Sequence, residues 1–81
     1  MTKYYYTFRS MTAAMKAVEK LKKQGVQVLP VRSPEHLRTR GCGYCIPLTE
    51  DRYHRVSGTL RPGEYEKLYR LREGHWEELS V

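Results

Sequence analysis

Residues 3–31 read Lys-Tyr-Tyr-Tyr-Thr-Phe-Arg-Ser-Met-Thr-Ala-Ala-Met-Lys-Ala-Val-Glu-Lys-Leu-Lys-Lys-Gln-Gly-Val-Gln-Val-Leu-Pro-Val, and the fold turns on how they are parsed. The first seven, Lys3 to Arg9, are aromatic and β-prone, which predicts a strand. Period-two alternation sends Tyr4, Tyr6 and Phe8 to one face and Tyr5, Thr7 and Arg9 to the other. Ser10 or Thr12 then supplies an N-cap for a helix running to about Gln24. Ala14, Val18 and Leu21 form its apolar stripe, widened by Met11, Met15 and Ala17. Lys16, Lys20, Lys22 and Lys23 cover much of the rest, and the last two suit the negative end of the helix dipole. Gly25 is the expected C′ residue. Val26 to Val31 follows as a second strand, and Pro30, which lacks a backbone donor, assigns it to a sheet edge.

The remainder continues the alternation of elements. Arg32 to Arg40 reads as a loop with Ser33-Pro34 as its turn signal. Gly43 to Leu48 is a third strand, and Thr49-Glu50-Asp51 opens a short helix in which Tyr53, Val56 and Leu60 share a face. Gly58 weakens that helix and Arg61-Pro62-Gly63 closes it. Residues 64–71 alternate as a fourth strand, and Glu73-Gly74 is a turn. The expected architecture is α+β: a ferredoxin-like βαββαβ sandwich, one four-stranded antiparallel sheet with two helices on one face, in the order 4-1-3-2. Residues 1–72 form that domain, and residues 73–81 are a C-terminal tail or a short extra strand anchored by Trp76. In this layout the turn from strand 1 into helix 1 lies at the same end of the sheet as the loop from strand 2 to strand 3.

Eighty-one residues make one domain, and a 40% hydrophobic fraction with seven Tyr, one Trp and one Phe suffices for a two-layer core. No run approaches a membrane span, and Met-Thr-Lys-Tyr-Tyr-Tyr lacks the apolar region of a signal peptide, so a reducing cytoplasm is expected. The net charge of +6 favours contact with something anionic, but the cations are spread along the chain.

Both cysteines lie in Gly41-Cys42-Gly43-Tyr44-Cys45. Paired so closely in a reducing compartment, they point to thiol chemistry rather than a structural staple. Gly41 and Gly43 remove side-chain bulk around Cys42, so an incoming sulfur or small electrophile can approach. Arg38 and Arg40, with Arg32, favour the thiolate, as does the positive end of helix 1. A persulfide carrier or thiol-exchange site uses that combination; a glycine-lined turn with an inert cysteine fits the same residues. A Cys42–Cys45 disulfide requires a turn at Gly43-Tyr44, because three extended residues span roughly 10 Å and a disulfide needs less than about 7 Å between Cα atoms. The following Ile46-Pro47-Leu48 has no helical period, so Cys45 also reads as a plain strand residue. A zinc site within one chain lacks ligands: His36, His54 and His75 fit no finger spacing and read as surface residues. Catalytic triads, phosphate-binding glycine loops and paired carboxylates are missing by spacing, and no cofactor is expected.

Tyr5-Tyr6-Thr7-Phe8, the capped helix with Ser10, Ala13 and Ala14, Gly25, Val28-Leu29-Pro30-Val31-Arg32, Gly41-Cys42-Gly43, Glu50-Asp51, and Tyr65 to Tyr69 together resemble the small selenium/sulfur carrier-like proteins. The likeness covers about residues 4–71. It implies a bacterial cytoplasmic protein whose Cys42 carries sulfur or selenium as a persulfide or selenopersulfide, a thiol-based carrier rather than a turnover enzyme, with donor and acceptor proteins as partners. Two departures stand out: Arg38-Thr39-Arg40-Gly41 replaces a small, serine-rich run, and Cys45 stands where an apolar residue is expected. The second cysteine is thereby a candidate resolving thiol. Two other classes stay open: a small basic binding module for nucleic acid or protein, without catalysis, and a CxxC dithiol redox protein. Tyr5 on the open sheet face also points to a homodimer.

Overall fold

A computed structural model describes residues 1–34 and 43–79 of the chain. Its elements are β1 (Thr2–Phe8), α1 (Met11–Lys23), β2 (Val31–Arg32), β3 (Tyr44–Thr49), α2 (Glu50–Val56), β4 (Lys67–Arg72) and β5 (His75–Glu78). All five strands join one antiparallel sheet in the order β2-β3-β1-β4-β5.

This corrects the expected four-stranded ferredoxin-like βαββαβ sandwich, since a fifth strand is paired to β4. The reason is local. Glu73 and Gly74 have φ of 49° and 80°, so both central residues of a two-residue loop are left-handed, as in a type I′ turn. Such a turn matches the twist of flanking strands and folds the chain back, pairing Arg72 with His75 and Leu71 with Trp76.

The second strand is also shorter than expected: of residues 26–31 only Val31 enters the sheet, followed by Arg32. Register explains the loss. Ser33 N–H donates to Gly43 C=O at 2.7 Å, so the odd-numbered residues of β3 aim their backbone groups at β2. Val31 pairs with Cys45, and the next such position on β3 is Pro47, which has no N–H to give. Pro30, one position before Val31, faces the outer edge, where its missing N–H leaves no donor. The ladder stops there.

Ser10 caps α1 by accepting a 3.1 Å bond from the Ala13 N–H, and its backbone is extended (φ −144°, ψ 159°). Gly25, at φ 83°, takes the left-handed position after Gln24 that ends the helix. Thr49 caps α2, and Gly58 at φ 88° turns the chain before Leu60 returns to the core.

One core joins both helices to the same sheet face. Tyr4, Tyr6 and Phe8 of β1, Ile46 and Leu48 of β3 and Leu68 of β4 meet Ala14, Ala17, Val18 and Leu21 of α1 and Val56 of α2. Each fully buried aliphatic side chain contributes roughly 1.5–3 kcal/mol. Aromatic geometry orders the layer: Tyr4 and Tyr53 stack with centroids 3.8 Å apart, and Tyr65 meets the Tyr6 ring edge-on at 4.8 Å. The opposite sheet face carries no helix, and there Trp76 reaches from β5 across β4 to within 5.0 Å of Tyr5. Thr7 ties β1 to β4, its hydroxyl accepting from Lys67 N–H at 3.1 Å.

Candidate functional site

Of the residues singled out around the thiols, Cys42, Arg38, Arg40 and Gly41 lie outside the described residues, as does His36. Gly43 and Cys45 are described, and they define the start of β3. Register pairs Phe8, the last residue of β1, with Tyr44, and Tyr44 with Arg32. The turn from β1 into α1, Pro34 after β2 and Gly43 before β3 therefore share one end of the sheet. The first turn of α1 begins there, with no acidic side chain to offset the positive end of its dipole.

Two open pockets flank that end. One, of about 450 Å³, lies between Phe8, Arg9 and Ala13 on one side and Gly63 to Glu66 on the other. The second, of about 380 Å³, continues along α1 past Ser10, Thr12 and Lys16 and shares Ala13, Gly63 and Glu64 with the first. Ion pairs tie down the wall opposite the helix. Arg9 donates to Glu66 at 3.1 Å, Lys20 pairs with Glu64, and the same Glu64 accepts from the Arg61 N–H at 2.9 Å. Lys20, and behind it the Arg61 amide, holds the partly exposed Glu64 carboxyl below its ordinary range.

Cys45 sits one strand position further in, paired with Thr7 of β1 on one side and Val31 of β2 on the other. It belongs to the sheet face without helices, yet it is 0% exposed. Burial raises its thiol pKa above the ordinary value, and the neighbouring buried Ser33 side chain opposes this only in part. A raised pKa keeps the group a neutral thiol near neutral pH, so Cys45 is a poor nucleophile as placed. Tyr44 and Cys45 both lie in the extended β3 ladder, and Cys45 forms no disulfide among the described residues. Sequence reasoning could not see this shielding, because Val31 of β2 and the Ser33 that follows it reach Cys45 only once the sheet has formed.

Elsewhere, His54 is exposed and lies 4.0 Å from Glu50, while His75 is exposed in β5. No three His, Cys, Asp or Glu side chains converge on a metal-sized site among the described residues. Among the described residues no helix is long and apolar enough to cross a membrane.

A family model described as "Putative Se/S carrier protein-like" matches residues 3–70. The chain belongs to that selenium/sulfur carrier-like family. The matched span takes in β1, the Gly41-Cys42-Gly43 segment and most of β4, and it ends before β5. In this member of the selenium/sulfur carrier-like family the strand that closes the sheet beyond β4 thus lies outside the matched region. No curated protein and no solved structure matches the chain.

Proposed function

We propose that this protein is a sulfur or selenium carrier that holds its cargo on Cys42 as a persulfide or selenopersulfide. The observation that carries the reading is membership of the selenium/sulfur carrier-like family over a span that includes Cys42. The transfer is an exchange without net redox change. The Cys42 thiolate attacks the outer sulfur of a donor persulfide; a bond forms between Cys42 Sγ and that sulfur, the donor's own S–S bond breaks, and the donor leaves as a thiolate. The acceptor repeats the step in reverse on the loaded Cys42. Arg38 and Arg40 stabilise the attacking and departing thiolates, while Gly41 and Gly43 leave room for the partner's sulfur. The shielding and raised pKa of Cys45 support Cys42 as the sole carrying thiol and weigh against a dithiol cycle, in which Cys45 would have to be reached and ionised.

The test is intact mass of the protein purified from a cytoplasmic expression host without reductant, before and after incubation with a cysteine desulfurase and cysteine. The expected result is a gain of one sulfur atom that thiol reductant removes and that Cys42→Ala abolishes, with Cys45→Ala sparing it. Equal loading of the Cys42→Ala protein sinks the reading. Loss of two hydrogens without sulfur gain replaces it with the dithiol one.

A binding module for nucleic acid or protein is favoured by one observation, the aromatic surface of Tyr5, Tyr69 and Trp76 on the sheet face without helices. Single-stranded RNA binding that weakens steeply with salt and is lost in Tyr5→Ala supports that use, and self-association lost in the same variant supports a homodimer there.

A further inference from the structure

The early end of β2 leaves a groove on the opposite side of the molecule's edge strand. It is an open pocket of about 630 Å³, floored by Val18 of α1 and walled by Val28, Leu29 and Pro47. Leu29 is 74% exposed, and the neighbouring Val31 is 47% exposed, so an apolar strip continues along this edge. Large apolar side chains left in water at one edge mark a surface that gains from being covered.

The charged groups of the groove have one sign. Lys22, from the last turn of α1, and Arg52, from the first turns of α2, both line it, and no carboxylate does among the described residues. Arg52 donates one guanidinium N–H to the Gln27 carbonyl at 3.4 Å, which uses one of its five donors. No ion pair joins Lys22 or Arg52 to an acid among the described residues. The backbone adds a third feature. By the alternation that points Gly43 C=O at Ser33, the Pro47 carbonyl also faces outward, at a position where β2 has already left the sheet.

Apolar walls, two cations and an outward carbonyl acceptor make a specific combination. A lipid or small carboxylate would use the first two and leave the acceptor idle. An extended peptide uses all three: its N–H donates to Pro47 C=O, an apolar side chain covers Leu29 and Val28, and a neighbouring carboxylate meets Lys22 and Arg52. We propose that this groove is the docking site for an extended acidic-apolar peptide segment of a partner protein. Pro47 and Pro30 deny it a continuous backbone ladder, so side chains rather than strand pairing set its preference, and edge-to-edge aggregation is blocked. The proposal does not depend on sulfur transfer at Cys42.

The experiment is a titration of the full-length, isotope-labelled chain with the blocked peptide acetyl-Asp-Leu-Glu-Leu-Asp-amide, read by amide chemical shifts. Controls are acetyl-Lys-Leu-Lys-Leu-Lys-amide and acetyl-Asp-Ser-Glu-Ser-Asp-amide. Saturable shifts centred on Lys22, Leu29 and Arg52, with a Kd near about 100 µM, are expected for the first peptide alone. Arg52→Glu and Lys22→Glu should each weaken it about tenfold or more, and Leu29→Ser by a similar factor. All three positions are exposed, so a native shift pattern elsewhere checks that each variant folds. Equal response to the serine peptide reduces the surface to general charge attraction and overturns the proposal. So does equal response to the lysine peptide, or no saturation below about 2 mM. Concentration-dependent shifts of the same signals without peptide would show a second copy in the groove, which also overturns it.

Discussion

The shielding of Cys45 makes a prediction that separates its thiol from that of Cys42. Consider the Cys42→Ala protein, in which Cys45 is the remaining thiol, treated with iodoacetamide. Reaction requires Cys45 to be uncovered, and the smallest opening that does so lifts β2 from β3. That opening breaks the Ser33 N–H to Gly43 C=O bond and the two backbone bonds expected of the Val31–Cys45 pair. Half-exposed Val31 adds little apolar burial. Three hydrogen bonds at a net of about 1 kcal/mol each give an opening cost of about 3 kcal/mol, a population near one in a hundred. Alkylation in the native protein should therefore run roughly 100-fold slower than in concentrated guanidinium chloride at the same pH. Because burial raises the Cys45 pKa, the native rate should keep climbing with pH beyond the ordinary thiol midpoint. The assay is the rate of mass increase followed through time, with the modified peptide mapped. A native rate within about threefold of the unfolded one refutes the shielding. Protection beyond about 10⁴-fold refutes the β2 opening and means that Cys45 reacts only on global unfolding.

Two further outcomes follow from the same packing. Burial raises the pKa of Tyr6, and also those of Tyr5, Tyr53 and Tyr69. Above about pH 10 the unfolded chain then releases phenolic protons that the folded chain retains, so the unfolded state binds fewer protons and stability falls as pH rises. For a tyrosine as enclosed as Tyr6 the slope approaches about 1.4 kcal/mol per pH unit inside that window, and urea midpoints measured across it should fall; a flat or rising profile refutes the assignment. Trp76→Ala removes the ring that meets Tyr5 and Tyr69, and should cost roughly 1–3 kcal/mol. Amide exchange in β5 should accelerate at the same time. Unchanged protection in residues 75–78 would mean that the hairpin turn alone holds the fifth strand.

Several features were legible in local order because they depend on neighbours in sequence. Tyr4, Tyr6 and Phe8 face the helices because a strand alternates, and Ala14, Val18 and Leu21 face the sheet because a helix repeats. Ser10 and Gly25 bound α1 through cap chemistry that acts over three or four residues. The resemblance carried by Gly41-Cys42-Gly43 and its flanks, and hence the family, was likewise present in the residues alone.

Other features required the assembled sheet. Whether residues 75–78 pair or trail depends on β4 offering a free edge as well as on the Glu73-Gly74 turn, so the four-stranded expectation missed a strand. The length of β2 was set by Pro47, sixteen residues further along than Val31, because only the register reveals that its missing N–H faces β2. The same register decides that Cys45 is covered by Val31 and Ser33, and that Leu29 is left beside Lys22 and Arg52 in an open groove. Period and capping are short-range properties of a chain, readable one element at a time. Burial of a thiol and the charge of a groove are sums over several strands and helices, and they exist only once those elements have packed.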